Sequence, residues 1–307
     1  MTGVLAAISG DAWIETLFSG VAVGAKYALV ALGFVIVFKA TGVINFAQGS
    51  FVLLGGYFCW NCTVTWGWPW YLSILGAMVG AALVALLLEV LLLRRMMGEQ
   101  PFTVIMVTIG VLFVIDNLVT AVWGAEGRDL PDPWALSTWR FGKVDILKAD
   151  VWTIVLSTVV LGLFFLFFKF SSLGLAMRAS ALDQEAAVAH GIDPRRVYQV
   201  SWACAGAVGA LAGVMLASGT GSLSPTLGLT ALVAFPAMIL GGLESPGGAV
   251  IGGIIIGLVQ QLTALLAPEY LEWIGGGFEN VTPYLVMILI LMVRPTGLFG
   301  QKEVRRV

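Results

Sequence analysis

Few side chains in this 307-residue chain could do chemistry, and their spacing narrows what that chemistry can be. His190 is the one histidine, so neither a histidine-based metal site nor a relay of several histidines can be assembled. Cys59 and Cys62 form a C-x-x-C, but Cys204 is the only other thiol, too few for a four-ligand zinc site. The pair is either a redox couple or a pair of packing residues. No G-x-x-x-x-G-K-[ST] occurs, so ATP, if it drives the protein, must be brought by another subunit. What remains are two charges inside apolar segments, Lys26 and Asp116, and a cluster of charges around residues 178–196.

The elements that must position these groups are read from composition. With 59% hydrophobic and 11% charged residues and a mean hydropathy of +0.96, the chain has more apolar surface than a soluble domain can bury. An all-α, polytopic transmembrane helix bundle is expected, as one domain over residues 1–307. The net charge of -2 gives no reason to expect a nucleic-acid partner. The first residues lack a basic segment and carry Asp11 and Glu15 before the first apolar run, which predicts a retained span and not a cleaved leader.

Apolar runs predict about nine crossings, within a range of eight to ten: Leu17–Phe38, Thr41–Cys62, Pro69–Leu93, Phe102–Trp123, Val151–Phe168, Val197–Ser218, Leu227–Leu243, Ala249–Ala267 and Val281–Val293. The second and seventh are broken by glycines and could each be a full span or a bent, partly re-entrant one. An external loop at 124–150 carries acids, bases, prolines and tryptophans, as suits a membrane interface.

Between the fifth and sixth spans lies a polar island, residues 171–197, with Arg178, Asp183, Glu185, Arg195 and Arg196. Each of these charges would cost roughly 2.5 to 3.5 kcal/mol at a bilayer centre, so the island lies in water or against another protein. Leu175 to His190 reads as one short helix, closed by Gly191 in a left-handed cap, with Pro194 beyond. If the island is cytoplasmic, an odd number of crossings puts Lys39, Arg94, Arg95, Lys169, Arg178, Arg195, Arg196, Arg294, Lys302, Arg305 and Arg306 on the same side. The positive-inside rule then predicts the N-terminus outside and the C-terminus in the cytoplasm.

Lys26 and Asp116 fall about 13 and about 10 Å below the outer ends of their spans at 1.5 Å per residue, which permits an ion pair. The pair is either a strut between helices or a grip on a polar or zwitterionic solute. Small residues recur every four positions at Gly20, Gly24 and Ala28, at Gly76 and Gly80, at Ala205, Gly209, Gly213 and Ala217, and at Ala249, Gly253 and Gly257. Such stripes let helix backbones approach closely. For a solute pathway the glycine-broken segments are the candidates, since irregular backbone at membrane depth is tolerated where it lines a cavity. They contribute Asn45, Phe46, Gln48 and Phe51, with Gly241, Gly242 and Gly248; an amide near a helix start is equally at home as a cap.

Four blocks carry a family resemblance: GVINFAQGSFVLLGGYF from Gly42 to Phe58, SSLGLAMRASALDQEAAVAHGID from Ser171 to Asp193, ILGGLESPGGAVIGGIIIG from Ile239 to Gly257, and RPTGLFG from Arg294 to Gly300. In this order and spacing the chain resembles the LivH family of permease subunits of bacterial ABC importers for branched-chain amino acids. Where that family often has histidine and an acidic residue, this chain has Gln48 and Ser50. The resemblance implies that the island is a coupling helix seated on an ATP-binding subunit, with Arg178, Asp183, Glu185 and Gly191 as its coupling residues. It further implies a complex in the inner membrane with two cytoplasmic ATPases that bind ATP and Mg, a LivM-like second permease and a periplasmic solute-binding protein. The chain itself is then no enzyme and holds no cofactor. Urea or short amides are the alternative solutes; a secondary transporter or channel, and last a membrane enzyme, are the alternative classes.

Overall fold

The computed structural model of the chain describes residues 9–134, 136–219, 221–270 and 276–300. Among the described residues, six helices are long and apolar enough to cross a membrane, joined by two shorter apolar helical stretches, Leu227–Gly241 and Phe278–Val293. Helix α1, Gly10–Thr41, starts on Ser9, whose side chain accepts from the Ala12 N–H at 3.3 Å. It ends at Gly42, left-handed at φ 73, whose N–H donates to the Phe38 carbonyl at 2.7 Å.

The second span divides into a loop and a helix. Gly42–Ala47 does not continue helically, and α2 runs from Gln48 to Trp60, extended by a π turn over Asn61–Thr65. Helices α3, Trp70–Leu91, and α4, Pro101–Trp123, follow, with proline at the first helical position of α4 where its missing N–H costs nothing. α5 is Lys148–Phe170 and α8 is Pro194–Ala217. The seventh apolar run is broken into α9, Leu227–Thr230, a 3-10 turn and α10, Phe235–Gly241. α11, Pro246–Tyr270, and α12, Thr282–Val293, complete the bundle.

Burial sorts these helices. α1 from Ala22 to Val37, α2 and most of α8 are enclosed, whereas α3, α4, α5 and α11 turn large apolar side chains outward. A helix apolar all round belongs in the centre of such a protein. The stripes on α1, α8 and α11, with Gly206 beside the second, bring backbones into contact, whereas Gly76 and Gly80 of α3 face the side chains of Trp68 and Phe58. α1 and α11 pack antiparallel, and a Cβ built on Gly257 would lie 2.2 Å from the Gly24 nitrogen, one on Gly253 2.5 Å from that of Ala28. On α8, a Cβ at Gly213 would meet the Val52 carbonyl of α2 at 1.8 Å, and one at Gly206 the Ala81 carbonyl of α3 at 2.8 Å. Backbone contact at this range is what the four-residue spacing permits.

The helical polytopic architecture expected is the one observed, and one expectation within it needs correction. The loop at residues 124–150 adds a hairpin of β1, Thr138–Phe141, and β2, Val144–Leu147, with Arg140 opposite Asp145. Gly142, at φ 68, makes the two-residue turn. The island is two helices, α6, Ser172–Leu182, and α7, Gln184–Ala189. Asp183 separates them: it is extended, and its carboxylate accepts from the Ala186 N–H at 2.9 Å, so it caps a new helix where an uninterrupted one was expected.

The hairpin carries a pH-dependent contact. Arg140 Nε and Nη2 donate to the two Asp145 carboxylate oxygens at 2.9 and 3.1 Å, and the guanidinium holds that carboxyl below the usual range. A carboxyl that ionises more readily folded than unfolded contributes stability at neutral pH and loses it as pH falls through its folded value. Hydrogen-exchange protection over residues 138–147, corrected for intrinsic rates, should hold level down to about pH 4 and then decline. In Asp145→Asn that decline should be absent.

Candidate functional site

The start of α2 gathers Asn45, Gln48 and Ser50, three of the buried polar residues of the described bundle. Asn45, 1% exposed, accepts the Ala47 N–H on Oδ1 at 3.0 Å and so turns the chain into α2. The Phe46 N–H donates to Thr108 Oγ1 of α4 at 3.2 Å, and the Phe46 ring stacks on Phe235 of the 227–241 segment at 5.8 Å. Gln48 lies where α1, α2 and α8 converge. Its Nε2 donates to the Ala205 carbonyl at 3.1 Å, in space left by two glycines: a Cβ on Gly33 would sit 2.1 Å from that nitrogen, one on Gly209 2.7 Å. Phe51, fully buried, meets the edge of Trp202 of α8 at 5.9 Å. Asn45, Phe46, Gln48 and Phe51 are thus brought together.

Ser50, which sequence reasoning noted only as a departure from the family, joins this group. Its Oγ lies 3.4 Å from the Leu112 carbonyl and 3.3 Å from Asp116 Oδ1, both on α4. Asp116 therefore has a partner on α2, and the expected Lys26–Asp116 ion pair is not formed. The physical reason is lateral position: α4 packs on α2 whereas α1 packs on α5, whose Asp150 is the carboxylate that acts electrostatically on Lys26. Depth along a helix was legible from residue counting, but the direction each side chain faces was not.

The three pathway glycines go elsewhere. A Cβ on Gly241 would stand 2.2 Å from the Gly248 carbonyl and one on Gly248 2.2 Å from the Gly241 carbonyl, so these two seat α10 against α11. Gly242, at φ 103, turns the chain beside Gly300. Here residues 294–300 fold back, and the Leu298 and Phe299 N–H groups donate to the Leu240 and Gly241 carbonyls at 2.8 and 3.2 Å. This is packing, and it joins the third and fourth of the sequence blocks.

The turn after Gly242 reaches the end of α1, where Lys39 Nζ donates to the Glu244 carbonyl at 3.0 Å. Arg94, Arg95, Lys169, the island and Arg294 share this basic end; Lys302, Arg305 and Arg306 lie outside the described residues. Within the island, Arg178 points inward. Its guanidinium donates to the Phe168 carbonyl and lies over the Phe168 ring at 5.4 Å to the centroid, tying α6 to the end of α5. Asp183 caps α7, Gly191 at φ 84 ends it, and Glu185 is exposed. His190 closes the helix, Nδ1 lying 2.8 Å from the Ala186 carbonyl. Gly174, Met177 and Ala187 are buried, while Leu175 at 59%, Leu182 at 81% and Val188 at 49% are exposed. Leu182 and Val188 were missed, although apolar positions in a charged island are themselves a signal of docking. Cys59 and Cys62 are buried free thiols, the second packed toward Gly76 of α3.

An apolar helical bundle with a small polar centre and a two-helix polar segment at its basic end is a multi-pass membrane protein of the permease class. The chain belongs to the family described as the permease component of branched-chain amino acid transport systems, which matches residues 16–293. It is 29% identical to the high-affinity branched-chain amino acid transport system permease protein LivH of Escherichia coli K12, over 96% of this chain and 98% of that one. It is 30% identical to a probable branched-chain amino acid transport permease protein LivH of Methanocaldococcus jannaschii, over 89% and 88%. In fold it resembles PsaBC from Streptococcus pneumoniae, solved in complex with Fab, with a TM-score of 0.51 over 96% of both chains at 14% identity.

Proposed function

We propose that the chain forms half of the transmembrane pathway of an ATP-driven importer for branched-chain or related amino acids in a bacterial inner membrane. The observation that carries this reading is the island. Two short helices stand at the basic end with Leu182 and Val188 outward, on a chain that has no P-loop of its own. Nine crossings follow when α2 with its π turn and the two shorter stretches are counted with the six long helices. That odd number is consistent with the basic end lying in the cytoplasm and the hairpin outside.

In this reading α6 and α7 seat in a cleft of an ATP-binding subunit. Two such subunits bind ATP and Mg, a LivM-like permease supplies the other half of the pathway, and a periplasmic binding protein delivers solute to the hairpin side. Arg178 and Asp183 act by holding the island's shape, Arg178 through Phe168 and Asp183 as a cap, while Glu185 is free to meet the partner. Proteoliposomes holding all these subunits should accumulate leucine only when ATP is supplied on the island side. Equal leucine movement without ATP and without the ATPases would sink the reading.

A further inference from the structure

Helix α4 carries polar groups at membrane depth on a face that the described chain leaves open. Its packing within the chain is chiefly against α2; Phe113 and Asn117 remain exposed and Asp116 half-buried. Phe113 stands one helical turn before both polar residues, so the three share that face. Asp116 lies about 10 Å inside the outer end of α4 at Trp123, deeper than an aspartate side chain reaches back to the headgroups.

The open groups there are acceptors. Asp116 Oδ1 accepts from Ser50, but among the described residues no donor or cation stands against Oδ2. Asn117 Nδ2 donates to the Phe113 carbonyl of its own helix at 2.7 Å, which leaves its Oδ1 free, and Thr120 Oγ1 donates to the Asp116 carbonyl at 2.9 Å. Beside them the backbone is irregular. A Cβ built on Gly228 of α9 would lie 3.5 Å from Asp116 Oδ1, and the broken segment around it leaves Thr226, Leu229 and Thr230 exposed. Neither a carboxylate nor a broken helix is tolerated against lipid tails; both require protein or enclosed water. Phe113 and Leu229, apolar and outward, suit a protein surface.

We infer that this face, α4 with α9 beside it, seats a second and different permease subunit, which presents a basic or hydrogen-bond-donating side chain at the depth of Asp116. The inference rests on the importer reading and adds to it which face the second permease covers and what it must carry there. A second copy of this chain does not fit. A two-fold contact sets the same face against itself, acceptor against acceptor. Among the described spans Lys26 is the one lysine or arginine at mid-depth, and it lies on α1 with Asp150 of α5 acting on it.

The test places the photo-cross-linking residue p-benzoylphenylalanine at Phe113, or at the equally exposed Leu163 of α5 as a control, in the complex of this chain with the LivM-like permease and the ATPases. Products are identified by mass spectrometry, and ATP-driven leucine uptake by the same complex is measured in liposomes. The probe at Phe113 should join this chain to the LivM-like permease, and the probe at Leu163 should not. Asp116→Lys, which sets a cation against the partner's base, should lower co-purification of that permease by about tenfold or more, and Asp116→Asn, which keeps an acceptor, should lower it less. The Phe113 probe leaves Asp116 intact, so it decides the face even if Asp116→Lys fails to fold. A product of two copies of this chain, no product from Phe113, or undiminished co-purification of Asp116→Lys overturns the inference; if the wild-type complex takes up leucine with ATP, the importer reading still stands. A wild-type complex that takes up none brings both down together.

Discussion

Leu182→Glu combined with Val188→Glu is expected to abolish ATP-dependent uptake while leaving the permease folded and in the membrane. Both positions are exposed, so neither change disturbs packing within the chain. Seating one leucine-sized side chain in a partner's cleft contributes about 1.5 to 3 kcal/mol, and a buried carboxylate adds a desolvation cost. Affinity for the ATPase should therefore fall by at least about tenfold to a hundredfold. The check is co-purification of the ATPases with the variant permease, together with uptake. Retained co-purification and uptake would mean that the island is a solvated loop.

The second large effect concerns assembly of the bundle. Gly257→Leu should leave little folded protein in the membrane, because even its Cβ would fall 2.2 Å from the Gly24 nitrogen and 2.6 Å from the Gly20 carbonyl, backbone atoms that cannot move aside. Overpacking of this kind costs about 1–3 kcal/mol or more, and here it separates the central helix from α11. Gly257→Ala should fall between, and Gly162→Leu on α5, where no atom lies within 4 Å of the built Cβ, should match wild type. Thermal melting followed by size-exclusion recovery orders the four proteins. A melting temperature for Gly257→Leu equal to that of wild type would show that this contact is not what holds the two helices.

These residues mark the boundary between what is local in the sequence and what is not. The long apolar runs were legible because bilayer thickness sets their length, and the glycine stripes because packing needs a spacing of four. Which stripe meets which depends on three-dimensional order, so Gly24 with Gly257 became visible only in the structure. The same limit explains Asp116, whose depth was readable but whose neighbour Ser50 was not. Asp183 was hidden by the alanine-rich helix pattern around it, although an aspartate followed three residues later by a free N–H is a capping arrangement. The hairpin was missed for another reason: its alternation of Trp139 and Phe141 with Val144 and Ile146 sits in a stretch that composition alone marks as interface.

Helix α1 has a consequence for how force travels through the molecule. At 1.5 Å per residue its 32 residues make a rod of about 48 Å, well beyond the roughly 30 Å of hydrocarbon it would cross. At one end Glu15 holds the hairpin by accepting the Asp145 N–H at 2.7 Å; at the other, α1 touches α6 and Lys39 grips the Glu244 turn. A rod of that length is a lever. Pivoted near its Gly24 contact, a tilt of about 10° shifts one tip by roughly 8 Å relative to the other. In the importer proposed above, a push on the island and a rearrangement of the hairpin would be the two strokes of one moving part.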